Sequence, residues 1–108
     1  MRRWMILFLL PLLAFIGPAE FSAHVDLQPG QQYTLGGGQT EPFSVRVENK
    51  GGWEVQLYLR TEVGNEQSAG RVKPGGSAKT KVGPQTVFII RNQADNPASL
   101  EVSSKDMP

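Results

Sequence analysis

Apolar and polar residues alternate along most of the chain after about residue 24. The clearest runs cover residues 43–48 and 53–60, where Phe, Val, Trp and Leu alternate with Ser, Arg, Glu, Gln and Tyr. A period of two is typical of antiparallel strands that bury one face. Clusters such as Pro29-Gly30 and Pro74-Gly75-Gly76 separate the runs and indicate turns. We find no 3.6-residue period that predicts a helix in this region.

The alternation predicts eight short strands and therefore a small all-β protein. Besides the two clear runs, the predicted strands cover residues 25–28, 32–35, 68–73, 78–82, 86–92 and 98–103. Many short strands with frequent turns favour a sandwich or a barrel. We expect a small antiparallel β-sandwich of about seven or eight strands, with one domain over residues 24–104 and a tail over residues 105–108.

The two clear runs predict a hairpin around Asn49-Lys50-Gly51-Gly52. One register of this hairpin faces Val47 with Trp53 and thereby directs Trp53 into the core. The same register places Arg46 opposite Glu54, whereas a slip by two residues opposes two glutamates. Unlike charges opposite each other stabilise a strand pair by roughly 0.2–1 kcal/mol and like charges destabilise it. The first register is therefore favoured.

The chain also resembles itself after a shift of 45 residues. The segment 27–30 then falls on 72–75, and Phe43 falls on Phe88. Five of the 31 paired positions between residues 27 and 57 are identical. Two interpretations stay open: a sandwich of two related halves with pseudo-two-fold symmetry, or unrelated halves that share turn chemistry and strand alternation.

Residues 1–19 predict a secretory signal peptide. They combine two arginines, a thirteen-residue apolar run interrupted by one proline, and small residues up to Ala19. The apolar run is shorter than the about 20 residues that span a membrane. We expect cleavage after Ala19, with cleavage after Ala23 as the alternative. The mature chain is then periplasmic or extracellular and has no membrane span.

The predicted leader changes the charge balance of the protein. The whole chain has 11 Lys and Arg against 10 Asp and Glu, but nine basic residues remain without Arg2 and Arg3. A nearly neutral domain of about 89 residues has no overall field that attracts nucleic acid, so we expect no nucleic-acid partner. The absence of cysteine excludes disulfides, thiolate catalysis and thiolate metal sites.

Residues that could carry catalysis or bind a metal are few. His24 is the only histidine, and we expect it to be a solvated residue near the end of the mature chain. The carboxylates lack the spacing of a calcium loop, and Gly36-Gly37-Gly38 lacks the pattern of a phosphate-binding loop. We therefore expect no catalytic residue, no metal and no cofactor. A small hydrolase or metalloprotein is the least favoured function.

The segment GPQTVFIIRNQADNPASLEV, residues 83–102, resembles the terminal strands of cupin barrels. The resemblance covers twenty residues of the chain. The histidine-rich metal box of that family is absent, so the resemblance transfers no site residue.

The most specific candidate surface is the polar face of the two clear runs. Its residues are Arg46, Glu54, Gln56, Tyr58 and Arg60. An ordinary solvated face with a cation–π contact between Tyr58 and Arg60 explains the same pattern. We expect a non-enzymatic binding or structural module whose partner is a protein or an envelope component. The alternative is a carbohydrate-binding module that uses Tyr58 or Trp53 as a stacking platform.

A second cluster of charge predicts a basic sheet edge. It consists of Arg71, Lys73, Lys79 and Lys81. Lysines on an exposed edge strand prevent aggregation between sheet edges, and this is the simpler explanation of the cluster.

Overall fold

A computed structural model describes residues 20–105, which form eight strands in two antiparallel sheets. The strands are β1 (Glu20–Leu27), β2 (Gln32–Gly36), β3 (Phe43–Asn49), β4 (Val55–Arg60), β5 (Glu66–Val72), β6 (Ser77–Val82), β7 (Val87–Arg91) and β8 (Ala98–Lys105). Each overlaps a predicted strand, and the prediction of a small antiparallel β-sandwich is confirmed. The predicted leader and residues 106–108 lie outside the described residues. Within residues 20–105 no helix is long and apolar enough to cross a membrane.

The order of the strands carries the pseudo-two-fold symmetry that the repeat suggested. Sheet A has the order β1-β8-β3-β6, and sheet B has the order β2-β7-β4-β5. When each strand is exchanged for the strand four places away in the chain (β1 for β5, β2 for β6, and so on), the order of sheet A becomes the order of sheet B read from its other edge. Each sheet therefore takes two strands from each half of the chain, so that the halves interleave.

Two buried asparagines and strand pairing together fix which positions of the two halves correspond. Asn49 at the end of β3 and Asn92 just after β7 are 43 residues apart, so β3 and β7 correspond at this shift. Because Val45 pairs with Thr80 in sheet A and Phe88 pairs with Leu35 in sheet B, β2 and β6 then correspond at a shift of 45 residues. The connection between β6 and β7 is two residues shorter than the one between β2 and β3, which accounts for the difference. Phe88 corresponds to Val45, and the match with Phe43 seen in the sequence is not the structural one.

The predicted hairpin between β3 and β4 is wrong. Strand β3 pairs with β8 and β6 in sheet A, while β4 pairs with β7 and β5 in sheet B. Residues 50–54 therefore form a loop that crosses from one sheet to the other. The two runs each have an apolar face, and placing them in opposite sheets buries both faces against each other. Alternation alone does not distinguish this arrangement from a hairpin.

The core lies between the two sheets and is built from the inward positions of the strands. In β3 every second residue is buried, as the alternation predicts. The largest fully buried side chains of the core are Phe43, Leu57, Phe88, Ile90 and Leu100, with valines from both sheets around them. The outward positions are left to form the two solvent-facing surfaces.

Asn49 joins the two sheets at one end of the sandwich. It ends β3 in sheet A and is 1% exposed. Its Nδ2 donates to the carbonyl oxygen of Val72 in sheet B at 3.0 Å and to that of Trp53 at 2.7 Å. Its Oδ1 accepts a hydrogen bond from the backbone N–H of Gly51 at 3.0 Å. The nitrogen and the oxygen of this buried amide therefore both have hydrogen-bond partners, as buried polar groups generally do.

Asn92 repeats this arrangement at the corresponding position of sheet B. It follows β7, is 0% exposed, and donates from Nδ2 to the carbonyl oxygens of Leu27 in sheet A and of Asn96, both at 2.9 Å. Its Oδ1 accepts from the N–H of Ala94 at 3.0 Å. Asn49 and Asn92 therefore link the sheets in opposite directions at the same end of the fold.

Candidate functional site

Four of the five predicted binding residues lie together on sheet B. Gln56, Tyr58 and Arg60 are in β4, and Glu54 immediately precedes this strand. Glu54 accepts a hydrogen bond from Gln56 at 3.2 Å. Arg46 lies in β3 and therefore on the outer face of sheet A. The predicted surface is divided between two faces because its residues were assigned to one hairpin.

A network of side chains crosses all four strands of the outer face of sheet B. This Tyr58 cluster consists of Gln32, Tyr58, Arg60, Glu66 and Arg91. Arg91 is central, because its Nε donates to Gln32 Oε1 at 3.0 Å and its Nη1 and Nη2 donate to the two oxygens of Glu66 at 3.3 and 3.2 Å. Its guanidinium carbon also lies 4.6 Å from the centroid of the Tyr58 ring, a cation–π contact.

Arg60 binds the same carboxylate as Arg91. Its Nε and Nη2 donate to Glu66 Oε2 at 3.2 and 2.8 Å. The hydrogen bonds from Arg91 and then from Arg60 hold the pKa of Glu66 below its ordinary value. The predicted cation–π contact between Tyr58 and Arg60 is thus replaced by one with Arg91, while Arg60 forms an ion pair.

A β-bulge brings Glu66 into the cluster. Gly70 in β5 has φ 115, a conformation that glycine adopts without strain. The pairing of β4 with β5 shifts between Leu57 and Tyr58, so that Arg60 faces Glu66. Without this shift, Arg60 would lie opposite an uncharged glutamine. The bulge at this glycine therefore determines that Arg60 pairs with a carboxylate on this face.

A fully buried isoleucine lies on the same outer face. Ile89 is 0% exposed, yet it is not part of the core between the sheets. Its neighbours Phe88 and Ile90 point into that core, so alternation directs Ile89 outward. Across the sheet Ile89 pairs with Thr34 and Tyr58. Side chains directly opposite in a sheet contact each other, and the cluster therefore covers an apolar floor.

The prediction that Trp53 is buried is wrong. Its side chain is 49% exposed and belongs to the crossing loop, before β4 begins. The strand alternation that places Val55 in the core therefore does not extend to Trp53. The backbone of the loop is nevertheless fixed, because Asn49 binds the carbonyl oxygen of Trp53. The protein holds a large aromatic ring at its surface on an anchored loop.

His24 lies within β1 and bridges two carboxylates. Its Nδ1 lies 2.7 Å from Glu101 Oε2 on β8, and its Nε2 lies 3.0 Å from Asp26 Oδ1 and 3.3 Å from Ser99 Oγ. The hydrogen bond to Glu101 is the main cause that raises the pKa of His24 above 6.5, with Asp26 adding to it. In its protonated form the imidazole donates from both nitrogens and joins the edge strand β1 to β8.

The two ring nitrogens of His24 have different neighbours. A serine nucleophile needs a histidine nitrogen that is free to accept its proton, whereas Nε2 faces the carboxylate of Asp26 as well as Ser99. The two carboxylates bind opposite nitrogens of the ring, so they do not converge on one point. In the part of the chain that the structure describes, no three His, Asp or Glu side chains are arranged to hold a metal ion.

Comparison with known proteins shows the fold and nothing beyond it. No protein-family model matches the chain, and no curated protein matches it. A solved structure that is similar is a de novo designed double-stranded β-helix, determined by solution NMR, with a TM-score of 0.51 and 22% sequence identity. The match covers 78% of this chain and 97% of the designed one. The interleaved sheets described above have this same kind of architecture.

We predict that the charge on His24 stabilises the protein at mildly acidic pH. Because folding raises its pKa above 6.5, the stabilisation is fully present below that value and is lost as the pH rises through the folded pKa. The difference in unfolding midpoint between wild type and His24→Gln should therefore be largest near about pH 6 and shrink toward about pH 8. Denaturant unfolding at a series of pH values measures this difference.

The groups that face His24 are Asp26, Glu101 and Ser99, with Glu48 opposite Glu101 on β3. The single histidine signal in an NMR titration gives the pKa independently. A stability difference that stays constant or grows with pH would contradict the bridge.

Proposed function

We propose that this chain is an exported, non-enzymatic binding module whose partner is a protein or an envelope component. The Tyr58 cluster is the contact surface. The observation that carries this proposal is that the side chains of the cluster are fixed to one another by contacts within the chain. An aromatic ring, two arginines and a glutamate are fixed to one another across four strands.

Pre-organisation matters because binding costs the entropy of each side chain that becomes immobilised. In the Tyr58 cluster Arg91 is only 23% exposed and contacts three neighbouring residues, so much of that cost is met on folding. Tyrosine and arginine are also among the residue types that are enriched in binding hot spots. The cluster combines both properties on a rigid sheet.

The non-enzymatic part of the proposal is supported by the state of the only histidine. His24 is engaged by Asp26 and Glu101, and no nucleophile has sole access to its Nε2. The described carboxylates that form ion pairs do so with cationic side chains at the surface. The ion pairs therefore account for the charges of these carboxylates without a catalytic role.

The test compares two double variants in capture experiments with envelope extract. Tyr58→Ala combined with Arg60→Ala removes the ring and one arginine of the cluster. Ser22→Ala combined with Ser103→Ala alters the opposite outer face, where these two residues pair. We expect the first variant to lose captured partner by about tenfold or more, as truncation of hot-spot residues does, and the second to retain it.

Quantitative mass spectrometry of the captured proteins and glycans measures this loss. Far-ultraviolet circular dichroism and unfolding midpoints establish that both variants are folded. Equal capture by wild type and the Tyr58/Arg60 variant would contradict the proposed surface.

Export is proposed from residues 1–19, and the pairing of residues 20–23 with β8 favours cleavage after Ala19 over cleavage after Ala23. All residues of β1 from Glu20 to Leu27 pair with β8. Cleavage after Ala23 would remove half of this strand. We predict a secreted product whose intact mass lacks residues 1–19, and an uncleaved product for Ala19→Leu, which replaces the small residue at the cleavage site.

The intact masses of the secreted and cell-retained fractions show whether the chain is exported and after which residue it is cleaved. Full-length wild type retained in the cytoplasm would contradict export. A product that lacks residues 1–23 would contradict the cleavage site alone.

A carbohydrate-binding module is the second candidate, and the exposure of Trp53 favours it. The indole is 49% exposed while its loop is anchored by a buried asparagine. A flat apolar ring held at the surface can stack on the apolar face of a sugar. The ring edge and backbone groups nearby then supply polar contacts.

A further inference from the structure

We propose that a groove at the end of β3 binds an anionic carbohydrate, meaning a sugar that carries a carboxylate, sulfate or phosphate group. The inference rests on the carbohydrate-binding candidate and names its class of ligand. The basic groove, as we call it, has a volume of about 430 Å³ and is open to solvent. The side chains that carry the proposal are Arg46, Glu48, Lys50 and Ser77, beside the turn at Gly75-Gly76.

The groove contains more positive than negative charge. Arg46 Nη2 lies 3.1 Å from Glu48 Oε2, and Lys50 Nζ lies 3.6 Å from Glu48 Oε1. One carboxylate thus serves two cations, which are 54% and 57% exposed. Arg46 and then Lys50 hold the pKa of Glu48 below its ordinary value, so it stays ionised near neutral pH. The nearest further carboxylate across the sheet, Glu101, is bound by His24.

The surplus of positive charge extends along strand β6. Lys79 pairs directly with Arg46 across the sheet, and Lys81 follows two residues later on the same face. Like charges directly opposite destabilise a strand pair. Among the ion pairs formed by residues 20–105, none involves Lys79 or Lys81. A bound anion would relieve this repulsion.

Protection of a sheet edge does not explain the whole group. Strand β6 is an edge strand, so Lys79 and Lys81 fit that explanation. Arg46 does not, because β3 has a neighbour on each side. Its exposed guanidinium opposite a lysine breaks a local rule of sheet pairing, and such exceptions concentrate at functional sites.

The pseudo-symmetric half shows that the fold does not require these cations. The positions that correspond to Arg46 and Lys79 are Ile89 and Thr34, which pair in the same way. Lys50 follows Asn49, and the residue that follows Asn92 is Gln93. Both halves keep the asparagine that joins the sheets, but only one has the cations. The basic groove is therefore a specialisation of one half.

The exposed tryptophan lies close to this groove along the chain. Gly51 lines the groove, and Trp53 is two residues further. Two residues span at most about 7 Å. A sugar bound through its anionic group to Arg46 and Lys50 is thus within reach of the indole, whose apolar face would pack on the sugar ring.

The experiment titrates the full chain carrying Trp4→Phe, so that Trp53 is its only tryptophan. Three hexasaccharides serve as probes: oligogalacturonate, its fully methyl-esterified neutral form, and a chondroitin sulfate hexamer. Tryptophan fluorescence and backbone NMR shifts report binding. We expect both anionic hexamers to bind saturably and more weakly as salt rises, with shifts at Lys50 and Ser77. The neutral hexamer should bind at least about tenfold more weakly.

Matched variants locate the site. Arg46→Gln combined with Lys50→Gln should weaken binding of the anionic hexamers by about tenfold or more. Arg71→Gln removes an exposed cation that pairs with Glu54 on sheet B, and should leave the affinity unchanged. These side chains are exposed, and unchanged unfolding midpoints confirm that the variants fold.

The outcomes separate this inference from the candidate function beneath it. Equal binding of neutral and anionic hexamers, lost in Trp53→Ala but not in the Arg46/Lys50 variant, overturns the inference and leaves carbohydrate binding standing. No binding of any hexamer overturns both. Binding of inorganic phosphate without binding of hexamers, or tighter binding to phosphatidylglycerol vesicles than to hexamers, also overturns the inference.

Discussion

The two sheets are held together by apolar burial and, at one end, by a pair of buried asparagines. Asn49 and Asn92 each reach from their own sheet to a backbone carbonyl of the other. Asn49 also organises its surroundings, because its carbonyl accepts from Gly75 N–H and its N–H donates to Gly76, both at 2.9 Å. The crossing loop and the turn beside the basic groove are therefore positioned by one residue.

The pseudo-symmetric halves share this framework but differ on their outer faces. On sheet B the central outward position is Ile89, covered by the Tyr58 cluster, and the charges there largely satisfy one another. On sheet A the corresponding position is Arg46, which is exposed and faces Lys79. The outer face of sheet B is covered by side chains that are fixed to one another, whereas the outer face of sheet A is exposed and carries surplus positive charge. The Tyr58 cluster lies on the first face and the basic groove on the second.

The sequence predicts the strands well because alternation and turn residues are local signals. It does not predict which strands pair, since β3 and β4 have the same pattern in a hairpin as in opposite sheets. Because of that error, the predicted surface combined residues of two different sheets and Trp53 was predicted to lie in the core. Arg91 was not predicted as part of the surface, since it reaches Tyr58 only through the pairing of β4 with β7. One signal could have indicated the covered outer face. The run Phe88-Ile89-Ile90 interrupts alternation with an extra apolar residue.

The most direct test of the account is the stability of Asn49→Ala and Asn92→Ala in equilibrium chemical denaturation. Each substitution leaves a backbone carbonyl of the opposite sheet and two backbone groups of the adjacent loop without their side-chain partner, at a cost of roughly 2–3 kcal/mol in the free energy of unfolding. Asn65→Ala, in the exposed loop between β4 and β5, should change it by less than about 0.5 kcal/mol. Comparable losses for Asn49→Ala and Asn92→Ala are the predicted result. Free energies of unfolding within the range of the Asn65 control would contradict the role assigned to this pair.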